Sequence, residues 1–474
     1  MNKQLRIYTL YNFLLGSLLL WSIQTQAESC CVANSDFPKE TWITVFVHGI
    51  MSIAPHLNIH NFSLFMCDDI VDTVYARTVN LMRKDPFFYT NQAMQKFGIH
   101  QIDPYDLHTG NAPAAIARTY DEVSRMVNPN QTSYYYTYGW SGLLSITQRY
   151  QEAEGLLIAI NQLVQKYKML GVQPKIRVIG YSHGGNVCLN IAAIHRDKYP
   201  DMDILIDELT LIGMPVQVET DYLTDSPIFK EVYHIYSSVD RIQQIDFFSF
   251  NRFFSDRIFK TRKHFKVPDK LTQINLKITR LRTTAYDKTH QLEKAQDFNQ
   301  CSNISGQRRL WRDASPGHIE LWFLGWIPGK YRENFPLSPL PCLTFVPLII
   351  NELKKRKECI KPYPVIVDIR PEVNVMLIKQ RKRNKLEDIA PFISHQEMER
   401  LKSYAYAVEP EKHNAETYSS HIAHAFNTAQ EQFDEQKREV RSAPPQRRRY
   451  RRFRRRRCDA AAVDRSYQFT QFPE

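Results

Sequence analysis

Unbroken apolar and β-branched runs alternate along the first three quarters of this chain with stretches whose apolar positions recur every three or four residues. Residues 41–49, T-W-I-T-V-F-V-H-G, are nearly all apolar, the pattern of a strand buried on both faces of a parallel sheet. Residues 133–140 return to strand character, and Ser141-Gly142 breaks it. Residues 145–170 place Ile146, Leu156, Leu157, Ile160, Leu163, Val164 and Tyr167 at spacings of three and four. That predicts a long amphipathic helix ended by Gly171 and Pro174. A β-branched run with Ile176, Val178 and Ile179 follows, then Gly180-Tyr181-Ser182-His183-Gly184, then a helix-compatible segment. Residues 205–215 and 232–239 predict two further strands. Strands alternating with helices predict an α/β chain: a mostly parallel sheet with helices on both faces. Residues 55–130 read as helices joined by loops.

The pattern changes towards both ends. Residues 341–357 predict a last apolar helix, and 361–380 a β-hairpin around Arg370-Pro371 that extends the sheet or stands apart. From 381 to 474 the chain reads as a charged, largely flexible extension, helical at best up to 446, with Ala443-Pro444-Pro445 as a joint. At the other end, Lys3 and Arg6 precede an apolar stretch from 7 to 23 and the small-residue site Thr25-Gln26-Ala27. This order predicts a secretory signal peptide over 1–27, with an uncleaved anchor as the competing view. The body, 36–360, is large enough for one sizeable domain.

Charge and cysteine content refine this picture. The formal net charge is +12, but nine arginines (Arg447, Arg448, Arg449, Arg451, Arg452, Arg454, Arg455, Arg456 and Arg457) account for all but +3 of it. Such a run attracts polyanions by Coulomb attraction and counterion release, and with an export signal at the other end anionic lipid headgroups or a cell-surface polysaccharide are favoured. It forms no base-reading module, so no specific nucleic-acid recognition is inferred. The eight cysteines (30, 31, 67, 188, 301, 342, 359 and 458) show no CxxC pair and no metal-ligand spacing. In an exported chain (periplasmic, cell-envelope or secreted) disulfides are their expected use, with Cys188 a buried free thiol. Asn61, Asn130 and Asn303 are glycosylation acceptors if the source is eukaryotic.

The chemistry centres on residues 180–184. Glycine occupies only 16 of 474 positions, so Gly-x-Ser-x-Gly would arise by chance about a few times in a hundred such chains. Between a strand and a helix it is a nucleophile elbow. The serine is held in a strained conformation, and a Cβ two residues before or after it would collide with a neighbouring element. A serine hydroxyl needs a base in contact, and the base needs an orienting carboxylate. Asp240 closes a strand two crossings later, with Asp246 in reserve. His318 follows Pro316-Gly317 in a loop, with His290 in reserve. Between them, seven phenylalanines from 247 to 265 are interleaved with Arg252, Arg257, Lys260, Arg262 and Lys263. That composition suits either a flap at a lipid headgroup boundary or a buried Phe stripe with solvated cations outside.

Val45-Phe46-Val47-His48-Gly49, the 180–185 elbow, the strand-end Asp240 and the Gly317-His318 loop together resemble the α/β-hydrolase superfamily, and within it the lipase-like serine esterases. The resemblance covers about residues 40–360. It implies Ser182 as nucleophile, His318 as base, Asp240 as its orienter, and the amides of Ile50 and His183 as the oxyanion hole. It also implies no metal or organic cofactor and a lipid or small ester as substrate. An acyltransferase would use the same first step with an alcohol replacing water. A non-catalytic α/β-hydrolase-like module that binds surfaces through its basic extension is the rival of a different class.

Overall fold

The computed structural model describes residues 40–51, 68, 70, 72–244, 255–281, 311–326, 331–332, 334–356, 364–380 and 388–442. The apolar run near the start forms β1 (Glu40–Val47), buried along six of its eight positions. After it come α1 (Val74–Lys84), β2 (Gly98–Ile102), α2 (Ala112–Val127) and β3 (Gln131–Gly139). The next elements are α3 (Ile146–Met169), β4 (Lys175–Tyr181), α4 (His183–Lys198), β5 (Ile206–Ile212) and β6 (Phe229–Tyr236). The chain continues through β7 (Leu271–Leu281), β8 (Trp311–Asp313), α5 (Val346–Lys354), β9 (Val365–Arg370) and β10 (Val375–Gln380). It closes with β11 (Asp388–Pro391), α6 (His395–Ala407) and α7 (Ala415–Ser442).

The strands form one mixed sheet in the order β11-β10-β9-β7-β6-β5-β4-β1-β3-β2, with β8 pairing β7 beside that path. The seven consecutive strands from β9 to β3 are parallel, and the two edges and β8 are antiparallel. Because side chains alternate across a strand, β1 sends Ile43, Val45 and Val47 into one core layer and Phe46 into the other. The first layer is closed by α3 and α4, the second by α2, α5 and α6. Helices therefore cover both faces of a mostly parallel α/β sheet, as the alternating pattern predicts.

Local chemistry sets where the helices begin. Ser145 caps α3 by accepting from the Gln148 amide at 3.0 Å, and the Asp68 carboxylate takes the Ile146 and Thr147 amides. Ser182 occupies the equivalent position before α4, yet its side chain makes no capping bond. Its hydroxyl is therefore left for another partner.

In the C-terminal third one expectation is met and one is revised. The 361–380 hairpin forms as β9 and β10 and extends the sheet, with β9 parallel to β7. Residues 388–442 depart from the loose extension expected over 381–474. In α6, Met398, Leu401 and Ala405 fall three and four apart and are buried in the same layer as Val346 and Ile350 of α5. In α7, Ala425, Ile422 and Tyr418 pack on Met82, Phe88 and Met94. Frequent charges mask these sparse stripes, but three apolar residues on one face are enough to dock a helix already tethered to a sheet. Residues 1–27, the nine arginines of 447–457, His290, Asp246 and the phenylalanines from 247 to 254 lie outside the described residues. Phe259 and Phe265, the described part of that aromatic segment, are buried in the core layer with α3 and α4.

Candidate active site

The turn from β4 to α4 holds Ser182 at φ +51° and ψ −133°, a conformation rare for a residue with a side chain. Its amide is tied to the Ile212 carbonyl at 2.9 Å. The flanking glycines are required by contact. A Cβ on Gly180 would lie 2.7 Å from the Gly185 Cα, and one on Gly184 would lie 2.2 Å from the His48 carbonyl oxygen. The end of β1 thus abuts the first turn of α4. Gly49 lies against the serine itself, since a Cβ there would stand 2.9 Å from the Ser182 Cβ.

Asp240 follows β6 and is buried. Its Oδ1 accepts the Ile242 and Gln243 amides at 3.0 and 3.4 Å, and its carbonyl accepts from Arg257 Nε at 2.9 Å. Its other oxygen, Oδ2, lies 2.7 Å from His318 Nδ1, and His318 Nε2 lies 3.0 Å from Ser182 Oγ. A carboxylate can only accept, so Nδ1 carries the ring proton and the Nε2 lone pair faces the serine hydroxyl. Ser182, Asp240 and His318 thus form one hydrogen-bonded chain although 136 residues separate the serine from the histidine. Ser182 and Asp240 follow the carboxyl ends of the parallel strands β4 and β6, where sheets of this kind present their crevice, and His318 reaches them from the segment after the antiparallel strand β8.

The histidine loop is braced from two sides. The Tyr181 hydroxyl donates to the His318 carbonyl at 2.9 Å, while its ring stacks on Trp322 at 5.1 Å and leans on the imidazole at 4.8 Å. Arg332 donates to the Ser315 carbonyl at 2.6 Å and pairs with buried Glu320 at 2.8 Å. Gly213, at φ +58°, adopts a conformation that favours glycine beside this loop, and a Cβ there would press on Leu321 Cδ1 at 3.1 Å.

Of the two amides assigned to anion stabilisation, one directly follows the serine and the other follows Gly49, which lies against it. That of His183 opens α4, where the first four N–H groups have no partner within the helix. That of Ile50 follows Gly49. The β1 end is anchored by His48, whose Nδ1 donates to the Gly49 carbonyl at 2.7 Å and whose Nε2 accepts the Trp140 amide at 3.3 Å. The Trp140 indole donates to the His48 carbonyl at 2.7 Å. Burial, and then the charge of Arg83, hold His48 well below the ordinary imidazole range, so it is a neutral strut.

Sequence reasoning missed Arg149, Tyr181, Glu320 and Arg332. A signal existed for Arg149 alone: it falls three residues after Ile146 and four before Ala153, a cation on the buried stripe of α3. The others act through contacts that no spacing announces. Cys188 is a buried free thiol on α4, pushed up by burial, and Cys342 is also buried and free. Among the described residues, no group of three or more His, Cys, Asp or Glu could hold a metal ion, and no helix is long and apolar enough to cross a membrane. No protein-family model matches the chain, and no curated protein matches it.

Proposed function

We propose that the chain is an exported serine hydrolase of α/β-hydrolase fold that cleaves carboxylic esters, lipid esters above others. The observation that carries this reading is the hydrogen-bonded chain from Asp240 Oδ2 through His318 to Ser182 Oγ, at 2.7 and 3.0 Å. His318 Nε2 takes the hydroxyl proton as Ser182 Oγ attacks the ester carbonyl. Asp240 holds the imidazole in its productive tautomer and stabilises the imidazolium. The His183 and Ile50 amides receive the oxyanion. His318 returns the proton to the departing alcohol, leaving an acyl-serine, and then activates a water that releases the acid.

Lipid esters are favoured by the rim. Ile50, Val239, Ile242, Ile319 and Phe323 border the three residues or their loops, and all reach the surface at least in part. Such positions suit an acyl chain better than a charged group. Export rests on the leader pattern of residues 1–27. The arginine run of 447–457 would add attraction to anionic headgroups. Truncation after Pro445 should then abolish binding to anionic vesicles at low salt, and unchanged binding would remove that role.

The experiment is labelling with a fluorophosphonate, whose phosphorus is attacked by an activated serine with loss of fluoride. Wild type should label at Ser182 and Ser182→Ala should not, and p-nitrophenyl esters of increasing chain length would rank the acyl preference. A second reading draws on burial. Ser182 is 3% exposed and His318 8%, which suits a closed, non-catalytic shell used for surface binding. Absence of Ser182-dependent labelling, with the protein folded, would favour that reading.

A further inference from the structure

We propose that Arg149 is a positioning residue of the Ser182 site, acting through the side chain of His183; the inference rests on the serine-hydrolase reading. Helix α3 carries Arg149 inward on its buried stripe, and a buried guanidinium is tolerated only where its donors are satisfied. Its Nη1 lies 2.9 Å from His183 Nδ1, and its Nη2 lies 3.1 Å from Gln217 Oε1. All three side chains are buried.

Arginine keeps its charge and has no lone pair to offer, so His183 Nδ1 must be the acceptor. The ring proton of His183 is therefore on Nε2, and the ring is neutral. Burial, then the charge of Arg149, then His318 hold His183 well below the ordinary imidazole range. The groups that face it are Arg149 from α3, His318 from the segment after β8, and Gln217 beside Arg149 from the loop after β5.

The consequence lies in the backbone. His183 supplies the amide assigned to the oxyanion, between a strained Ser182 and a Gly184 pressed against the β1 end. The bidentate fork of Arg149 holds that residue to the start of α3 and to the loop after β5 at once. It thereby limits rotation of the first turn of α4. The guanidinium also places a fixed positive charge at the positive end of the α4 dipole, in a site from which water is largely excluded. A lysine could supply charge but not the fork.

The test compares wild type, Arg149→Met, Arg149→Lys and His183→Phe by fluorophosphonate labelling rate, by kcat and KM on a short ester, and by thermal unfolding. Arg149→Met and His183→Phe should each slow labelling and kcat on the order of 10- to 100-fold, with KM changed by less than about threefold. Arg149→Lys should fall between them and wild type. A purely structural role would lower the melting temperature and leave kcat and the labelling rate of the folded variants alone, which would overturn the proposal. Should Arg149→Met fail to fold, His183→Phe, with Arg149 intact, decides on labelling rate. Failure of wild type to label at Ser182 would sink the hydrolase reading and this inference with it. Normal labelling of wild type and of both folded variants would sink this inference alone.

Discussion

His234 offers a quantitative check on the packing of the sheet that carries the site. It lies on β6, wholly buried, stacked on Tyr236 at 5.6 Å and meeting Phe259 edge-on at 5.1 Å. Neither ring nitrogen has a partner in bonding geometry, and the nearby Met214 carbonyl and Gln273 amide favour the charged ring only weakly. Desolvation therefore dominates and brings its pKa down from 6.5 to about 4. A base whose pKa is lower when folded binds more protons when unfolded between these two values, so stability falls as pH falls through that window. The full effect is about 3 kcal/mol, of which about 2 kcal/mol should already be lost on going from pH 7 to pH 5.

Phenylalanine keeps the ring and removes the titration. We expect His234→Phe to match wild type within about 1 kcal/mol at pH 7 and to be about 2 kcal/mol more stable than wild type at pH 5. Urea unfolding followed by tryptophan fluorescence at both pH values measures the difference. His48 and His183, also buried and neutral, titrate alike in both proteins and cancel. A gap between the two proteins that stays constant from pH 7 to pH 5 would refute the burial argument.

Asp240→Asn should fold normally, since it can still accept the Ile242 amide, but it no longer selects the Nδ1–H tautomer of His318. Its kcat on a short ester should fall by roughly 10³- to 10⁴-fold with KM little changed, and a loss below tenfold would contradict the assigned role. Tyr181→Phe removes the 2.9 Å bond to the His318 carbonyl but keeps the stack on Trp322. We expect about 1 kcal/mol of lost stability in urea and a several-fold drop in kcat, and equal turnover would show that the loop is held without the phenol. Ending the chain after Val408 removes α7 and uncovers Met82, Phe88 and Met94. The shortened protein should lose at least about 2 kcal/mol and bind a hydrophobic dye, whereas unchanged unfolding would return α7 to the status of a loose appendage.

Much of the architecture was legible because it is written locally. The period of apolar residues marks strand or helix, and Gly-x-Ser-x-Gly between the two marks a strained turn, since only glycine tolerates the approach of Gly184 to the His48 carbonyl. Chain order then singled out Asp240 and His318; Asp240 meets the serine because strand ends of a parallel sheet all open on one edge, whereas His318 arrives there on the segment after antiparallel β8. The extension beyond residue 381 was misjudged for the opposite reason. Leu401 and Ala425 belong to stripes too sparse to stand out among charges, and their burial depends on partners more than fifty residues away.

The chain by itself therefore determined the kinds of element, their alternation, and which hydroxyl, imidazole and carboxylate could act together. Only the tertiary structure decided that Arg149 clasps His183, that the Tyr181 phenol and Arg332 hold the His318 loop, and that α7 docks on α1. The physical reason is range. Backbone conformation answers to a few neighbouring residues, whereas a hydrogen bond of 3 Å between residues 136 positions apart requires every strand and crossover between them to be in place.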